Sequence, residues 1–332
     1  IIRILACMLN STNILLIGKT PPPIGGVTIH LSRLLEYFDH NQYHYGYYDL
    51  KQFNIFSFFK TIKIYKYAHL HATNAAFLLM FVLSSKLFKT ISIITIHADL
   101  GSYGGISAYF ARIAIYFCNI PIILNKKSMN DALLLNTCVQ KISSFIPPSN
   151  TTKLNRSIVN EIATLRSNTQ YIICSNAWRY AYDKNGVETY GIVPLIHYIN
   201  QRPHLGLIIS DPSNEYTTYI KNNSVRLKKN VIIINENHSF FEVLRLSDCF
   251  IRNTSTDGDS ISIKEALFLG IKVIASNCVD RPDGVELIKV GDLTKVEGHV
   301  SMTSNIKQAQ LPFQQNGGAD ILKLYKEITS NN

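Results

Sequence analysis

Two carboxylates eight positions apart, Asp257 and Glu265, lie in the stretch DGDSISIKEALFLG. Small and polar residues from Asp257 to Ser260 lead into ISIKEALFL, where Ile261, Ala266 and Leu269 recur at helical spacing and Gly270 ends the run. This predicts a loop feeding a helix, with the first acid ahead of the helix and the second about one to two turns along it. Ile271 to Ser276, IKVIAS, then has the β-branched composition of a buried parallel strand. A polar loop opening a helix presents backbone N–H groups and the positive end of the helix dipole, which favour phosphate, and a nucleoside diphosphate is the natural guest. Two acids at a helix start also serve as plain caps, and the spacing alone leaves both readings open.

The pair resembles the acidic E-x7-E element of retaining family 4 glycosyltransferases (glycosyl transferases group 1), enzymes of the GT-B fold, with Asp257 where that family usually has Glu. The following SNCVDRPDGVELIKVGD extends the resemblance through a polar turn, an acidic residue, an apolar pair and Gly-Asp. In the family the second acid contacts the ribose hydroxyls of a sugar nucleotide and the first lies near the donor sugar. The resemblance therefore implies these roles for Glu265 and Asp257, with Asp259, Ser260 and Ile261 as further donor contacts.

These residues need a scaffold, and the rest of the chain reads as alternating strands and helices. NILLIG (Asn13 to Gly18) is a first buried strand, three prolines at Pro21 to Pro23 exclude helix, and Val27 to Phe38 carries helical periodicity. Between them Gly25 and Gly26 permit a close backbone approach, as in the opening of a Rossmann-like domain, although G-x-G-x-x-G is absent. The resembled family has a Gly-Gly here, lining the cleft between its domains; a tight βα turn is the simpler reading. Ile91 to Ile96 is another strand, ending in His97 with ADLGSYGG behind it. A histidine at the carboxyl end of a parallel strand lies where open α/β sheets bind ligands. By resemblance His97 reaches the donor sugar and is placed with Asp257 and Glu265 as catalytic, while His71 is an acceptor or substrate contact. Structural roles for both histidines stay open.

FIPPSN (Phe145 to Asn150) stands in the place of the interdomain linker, and Tyr171 to Ser175 opens a second domain. Arg179 and Lys184 have the spacing of the arginine and lysine that hold the donor pyrophosphate in the family; an alternative alignment puts Tyr190 and Gly191 there instead. Arg252, between a strand and the acidic element, is a further phosphate partner. The expected fold class is α/β, two Rossmann-like domains facing across a cleft (GT-B). Residues 1–165 form an acceptor-binding domain, with a last helix at about 315–332 packing back on it by resemblance, and 166–314 form a nucleotide-sugar domain.

Composition narrows the partners. The 332 residues, 46% hydrophobic and 17% charged, are enough for two globular cores. A net charge of +10 points to an anionic partner, and nucleic acid is excluded by the lack of zinc-finger spacing, an RNP-like aromatic motif or an arginine-rich arm. Cys7, Cys118, Cys138, Cys174, Cys249 and Cys278 form no C-x-x-C pair, which fits reduced thiols in a cytoplasm. The opening IIRILACMLNSTNILLIG is broken by polar residues and lacks a signal-peptide pattern; Met8 is a candidate start. The longest apolar run, Ala75 to Leu83, falls short of the roughly 20 residues of a spanning helix. Lys51 to His71 interleaves lysines with aromatics, as on a surface resting against an anionic membrane or on the solvated face of an ordinary helix.

Asp257 to Asp259 also imitates a D-x-D metal clamp, but it precedes a helix in the second half of the chain, so no metal and no cofactor are expected. No G-x-x-x-x-G-K-[ST] is present. What the resemblance implies is transfer of a hexosyl group from a nucleotide-sugar to a saccharide acceptor, lipid-linked, with retained configuration. The setting it implies is bacterial surface polysaccharide synthesis, of O-antigen or capsule type, on the inner face of the cell membrane. A sugar-nucleotide epimerase or hydrolase of the same fold, and a non-catalytic polysaccharide or membrane-binding module, are the alternatives.

Overall fold

The computed structural model describes residues 13–23, 25–149, 151–301 and 315–330; Cys7 and Met8 lie outside them. Two compact units divide the chain, the first comprising the residues up to Ser149 and those from Gln315 onward, the second the residues from Asn150 to Gln314.

The first unit is built from β1 (Ile14–Gly18), α1 (Gly26–His40), β2 (Gly46–Asp49), α2 (Ile55–Ile62), β3 (Tyr67–Ala72), α3 (Ala75–Leu87), β4 (Ile91–Ile96), α4 (Gly105–Phe117), β5 (Ile120–Ile123), α5 (Lys126–Leu133) and β6 (Gln140–Lys141). All its strand pairs are parallel, in the order β2-β1-β3-β4-β5-β6. A parallel sheet is covered on both faces, and alternate side chains of one strand feed two cores. Leu15 and Ile17 of β1 join Phe58, Ile62, Leu78, Phe81 and Ala114 from α2, α3 and α4. Ile14 and Leu16 join Leu31, Leu34 and Phe38 of α1. Asparagines cap the starts of α2, α3 and α5, the side chains of Asn54, Asn74 and Asn125 accepting from the N–H of Ser57, Phe77 and Ser128 at 3.0, 2.9 and 2.8 Å.

The second unit runs α6 (Arg156–Asn168), β7 (Tyr171–Asn176), α7 (Ile192–Asn200), β8 (Leu205–Ser210), α8 (Glu215–Asn222), β9 (Val231–Ile234), α9 (Phe240–Arg245), β10 (Cys249–Arg252), α10 (Ile261–Phe268), β11 (Lys272–Ser276), β12 (Val285–Ile288) and α11 (Val296–Ser301). Its parallel sheet has the order β12-β11-β10-β7-β8-β9. The first strands of the two halves of this sheet, β7 and β10, lie side by side, which is the doubly wound order of a dinucleotide-binding fold. α6 belongs here and not before a boundary at residue 165, because Ile158, Ile162 and Leu165 pack into the core formed by Ile172, Cys174, Ile208 and Phe250.

The last helix, α12 (Gly317–Ser330), lies in the first unit. Its Ile321, Leu322 and Tyr325 complete the α1 side of that core. The approach requires glycine: a Cβ on Gly317 would stand 1.9 Å from the Ser143 carbonyl oxygen. Among the described residues no helix is long and apolar enough to cross a membrane. The Ala75 to Leu83 run becomes α3, whose Leu78, Phe81 and Val82 are buried.

Candidate functional site

Each sheet has one place where chain connections leave a strand pair in opposite directions, and ligands of open α/β sheets bind outside the carboxyl ends of those strands. In the second unit that place lies between β7 and β10. Asp257, five residues beyond the end of β10, is held by two guanidiniums. Arg252 donates from Nε and Nη2 to its two carboxylate oxygens at 3.0 and 2.9 Å, and Arg281 donates from Nη1 at 2.8 Å. All three side chains are nearly out of solvent, at 8% exposure for Asp257, 12% for Arg252 and 2% for Arg281. Burial by itself raises the Asp257 carboxyl, but the two arginines outweigh it and hold it below the usual carboxylate range. Arg252 also donates to Asn176 at the end of β7, 3.1 Å to Oδ1, and its guanidinium lies 5.1 Å from the Tyr190 ring centre. Sequence reasoning gave Arg252 to phosphate; the fold commits it to Asp257.

The start of α10 is charged but internally balanced. Lys264 pairs with Asp259, both nearly buried, and Asn176 donates to Ser262 Oγ at 2.9 Å. Ser260 occupies the N-cap position, and its own side chain makes no capping bond. Ile261 packs at the margin of the core, and Glu265 is buried on the same helix. Counting the named side chains, Asp257, Asp259 and Glu265 stand against Arg252, Arg281 and Lys264, three anions to three cations. Each aspartate of the D-x-D imitation faces a cation, Asp257 the two arginines and Asp259 Lys264.

Arg179 and Lys184 part company. Arg179, exposed just beyond β7, lies with its guanidinium 4.4 Å from the Trp178 ring centre. Lys184 sits at the tip of a turn in which Asp183 accepts from the N–H of Asn185 and Val187, at 2.8 and 3.0 Å. The alternative pair serves the scaffold: Tyr190 is buried, and Gly191 has a φ of 61° and approaches Asn253 so closely that a Cβ would lie 2.5 Å from Nδ2. The start of α7 just beyond is occupied by Glu188, which accepts from the N–H of Ile192 at 2.8 Å.

In the first unit the corresponding place lies between β1 and β3. Gly25 and Gly26 follow β1, and a Cβ on Gly26 would meet nothing within 4 Å, so the fold itself does not demand glycine there. His71 near the end of β3 and His97 just past β4 come together, His71 Nδ1 lying 3.3 Å from His97 Nε2. A third ring, His30 of α1, stands 5.4 and 5.1 Å from them between centroids. Burial, reinforced by the neighbouring rings, holds His71 and His97 well below the ordinary histidine value. Sequence reasoning missed His30, although it falls in the apolar stripe of α1, four residues from buried Leu34. It also missed Arg281 and Lys264; the signal for Arg281 was the polar turn after β11, and for Lys264 its place beside Glu265.

No protein-family profile and no curated protein matches the chain. Solved structures do. HepE of Anabaena in complex with UDP-glucose is 14% identical, with a TM-score of 0.66 over 96% of this chain and 98% of its own. Sucrose-phosphate synthase of Thermosynechococcus elongatus is 13% identical, with a TM-score of 0.65 over 97% and 100%. UDP-GlcNAc 2-epimerase of Methanocaldococcus jannaschii is 12% identical, with a TM-score of 0.59 over 95% and 99%. At such identities the likeness shows the fold, which is α/β with two Rossmann-like domains, as in GT-B proteins.

Proposed function

We propose that the chain transfers a hexosyl group from a nucleotide-sugar to a saccharide acceptor with retained configuration. The observation that carries the reading is the β7/β10 junction. There a buried, arginine-clamped Asp257 and the start of α10, where the Ser260 side chain makes no capping bond, lie where doubly wound sheets take nucleotides. Because the named acids and cations balance, the charge of a bound diphosphate falls on the N–H groups opening α10 and on exposed Arg179. In this reading Asp257 and its arginines form a rigid floor, Glu265 takes the ribose hydroxyls, and Gly25, Gly26 and His97 serve the donor and acceptor sugars. The leaving diphosphate is stabilised electrostatically and its oxygen assists deprotonation of the incoming hydroxyl, so no enzymic nucleophile and no metal on the diphosphate are needed.

A lipid-linked acceptor on a cell membrane fits the outer surface of α2 and the end of α3. Phe56 is 81% exposed and Ile64 64% exposed beside Lys60, Lys63 and Lys66, and Leu87 is 77% exposed between Lys86 and Lys89. Apolar anchors ringed by lysines suit an anionic lipid surface, and they fit a role in surface polysaccharide assembly. Sedimentation with vesicles containing anionic lipid checks this. Binding that falls with salt supports it, and no binding to any such vesicle overturns it.

The test of the main reading is incubation of the protein with nucleotide-sugars, with and without saccharide acceptors. Nucleoside diphosphate released only when acceptor is present supports transfer. A second reading draws on the likeness to the 2-epimerase over nearly the whole of both chains. It predicts that donor is converted to its epimer with no acceptor at all.

A further inference from the structure

The β1/β3 junction of the first unit holds three imidazoles whose nitrogens converge. His30, His71 and His97 each offer one ring nitrogen, and the three atoms lie within 4.8 Å of one another. Their tautomers are constrained. His30 Nδ1 lies 2.7 Å from the Ser144 carbonyl oxygen, which can only accept, so Nδ1 carries the proton and Nε2 the lone pair. A histidine that donates one N–H to a carbonyl while presenting the other nitrogen is the usual outer support of a metal ligand. His71 is 2% exposed and turns its Nδ1 toward His97.

The neighbouring His69 provides the contrast. It stacks on His71 at 4.2 Å between centroids, yet both its nitrogens are engaged, Nδ1 with the Tyr325 hydroxyl at 2.5 Å and Nε2 with Thr95 Oγ1 at 2.7 Å. A histidine serving only the core is satisfied in this way, whereas His71 Nδ1 faces another imidazole nitrogen, Nε2 of His97. The 3.3 Å between His71 Nδ1 and His97 Nε2 also matches the separation of about 3.3 Å between two nitrogens that each lie about 2.0–2.1 Å from one tetrahedral ion.

We propose that His30, His71 and His97 bind one divalent transition-metal ion, Zn2+ foremost, leaving a fourth position for water or a ligand oxygen. Three imidazoles without a carboxylate suit a borderline ion and disfavour Mg2+ and Ca2+, which demand oxygen. The inference rests on residues of the first unit alone and stands independently of the transfer reaction.

The experiment uses the full chain stripped of metal by a chelator and titrated with Co2+ as a spectroscopic probe, then with Zn2+. One equivalent of Co2+ should produce the visible absorption of a four-coordinate ion, one equivalent of Zn2+ should erase it, and the unfolding midpoint should rise with stoichiometric Zn2+. His71→Ala and His97→Ala should each lose the band, while the exposed-histidine control His40→Ala keeps it. His97 is only half-buried, so His97→Ala decides the matter where His71→Ala fails to fold as judged by circular dichroism. A folded wild-type chain that takes up no equivalent of either metal, or a band that survives in folded His97→Ala, overturns the proposal.

Discussion

The two strand junctions share a topology and differ in chemistry. At β7/β10 full charges are buried and paired, Asp257 with Arg252 and Arg281 and Asp259 with Lys264. At β1/β3 the cluster is imidazole, and burial holds His71 and His97 well below the ordinary histidine value. Buried charge is tolerated only when paired, and the side chains at β7/β10 already have their partners within the unit. Neutral imidazoles impose no such pairing, and the first unit's site keeps lone pairs to offer. One fold thus furnishes an electrostatic platform in one unit and a donor set in the other.

The largest break in this comparison should come from Asp257→Ala. It leaves Arg252 and Arg281 uncompensated in a nearly dry site, so we expect a loss of about 3 kcal/mol in urea unfolding. Nucleotide-sugar turnover should fall about 100-fold or more. Next is Gly191→Ala, where a Cβ would lie 2.6 Å from the Asn253 carbonyl oxygen at a φ of 61°. Backbone cannot step aside, and the cost should be about 3 kcal/mol, read from the same unfolding curves. Its counterpart in the first unit, Gly18→Ala, drives a Cβ to within 2.4 Å of the Leu31 Cδ2 methyl, the movable end of a side chain. That should cost only about 1–2 kcal/mol.

A pH series sharpens the electrostatic half. Since the folded carboxyl of Asp257 is depressed, its contribution is fully present above the ordinary value of 3.8 and is lost as pH falls through the lower folded value. Asp257→Asn should flatten that acid limb of stability measured from pH 5 downward. The smallest effect expected is that of Tyr325→Phe, which removes the hydroxyl bonded to His69 and ties α12 less firmly to the sheet, at about 1 kcal/mol.

What was legible in the sequence followed from locality. DGDSISIKEALFLG carries its own loop, helix start and stop within fourteen residues, so α10 could be read at once, and β1 and β4 announced themselves as apolar runs. The short strands β2 and β12 were missed because GYYD and VELI, at four residues each, are too brief to stand out. Partnerships were illegible for a different reason. Arg281 reaches Asp257 across twenty-four residues and Asn176 reaches Ser262 across eighty-six, distances closed only by the parallel strand order. His30 looked like an ordinary helix residue until β3 and β4 brought two more rings against it.

The most direct test of the central claim is calorimetric titration of the purified chain with uridine, guanosine and thymidine diphosphates. The account predicts that at least one binds with one site per chain and that Arg179→Ala weakens it without altering the unfolding midpoint. Failure of every nucleoside diphosphate to bind the folded protein would contradict it.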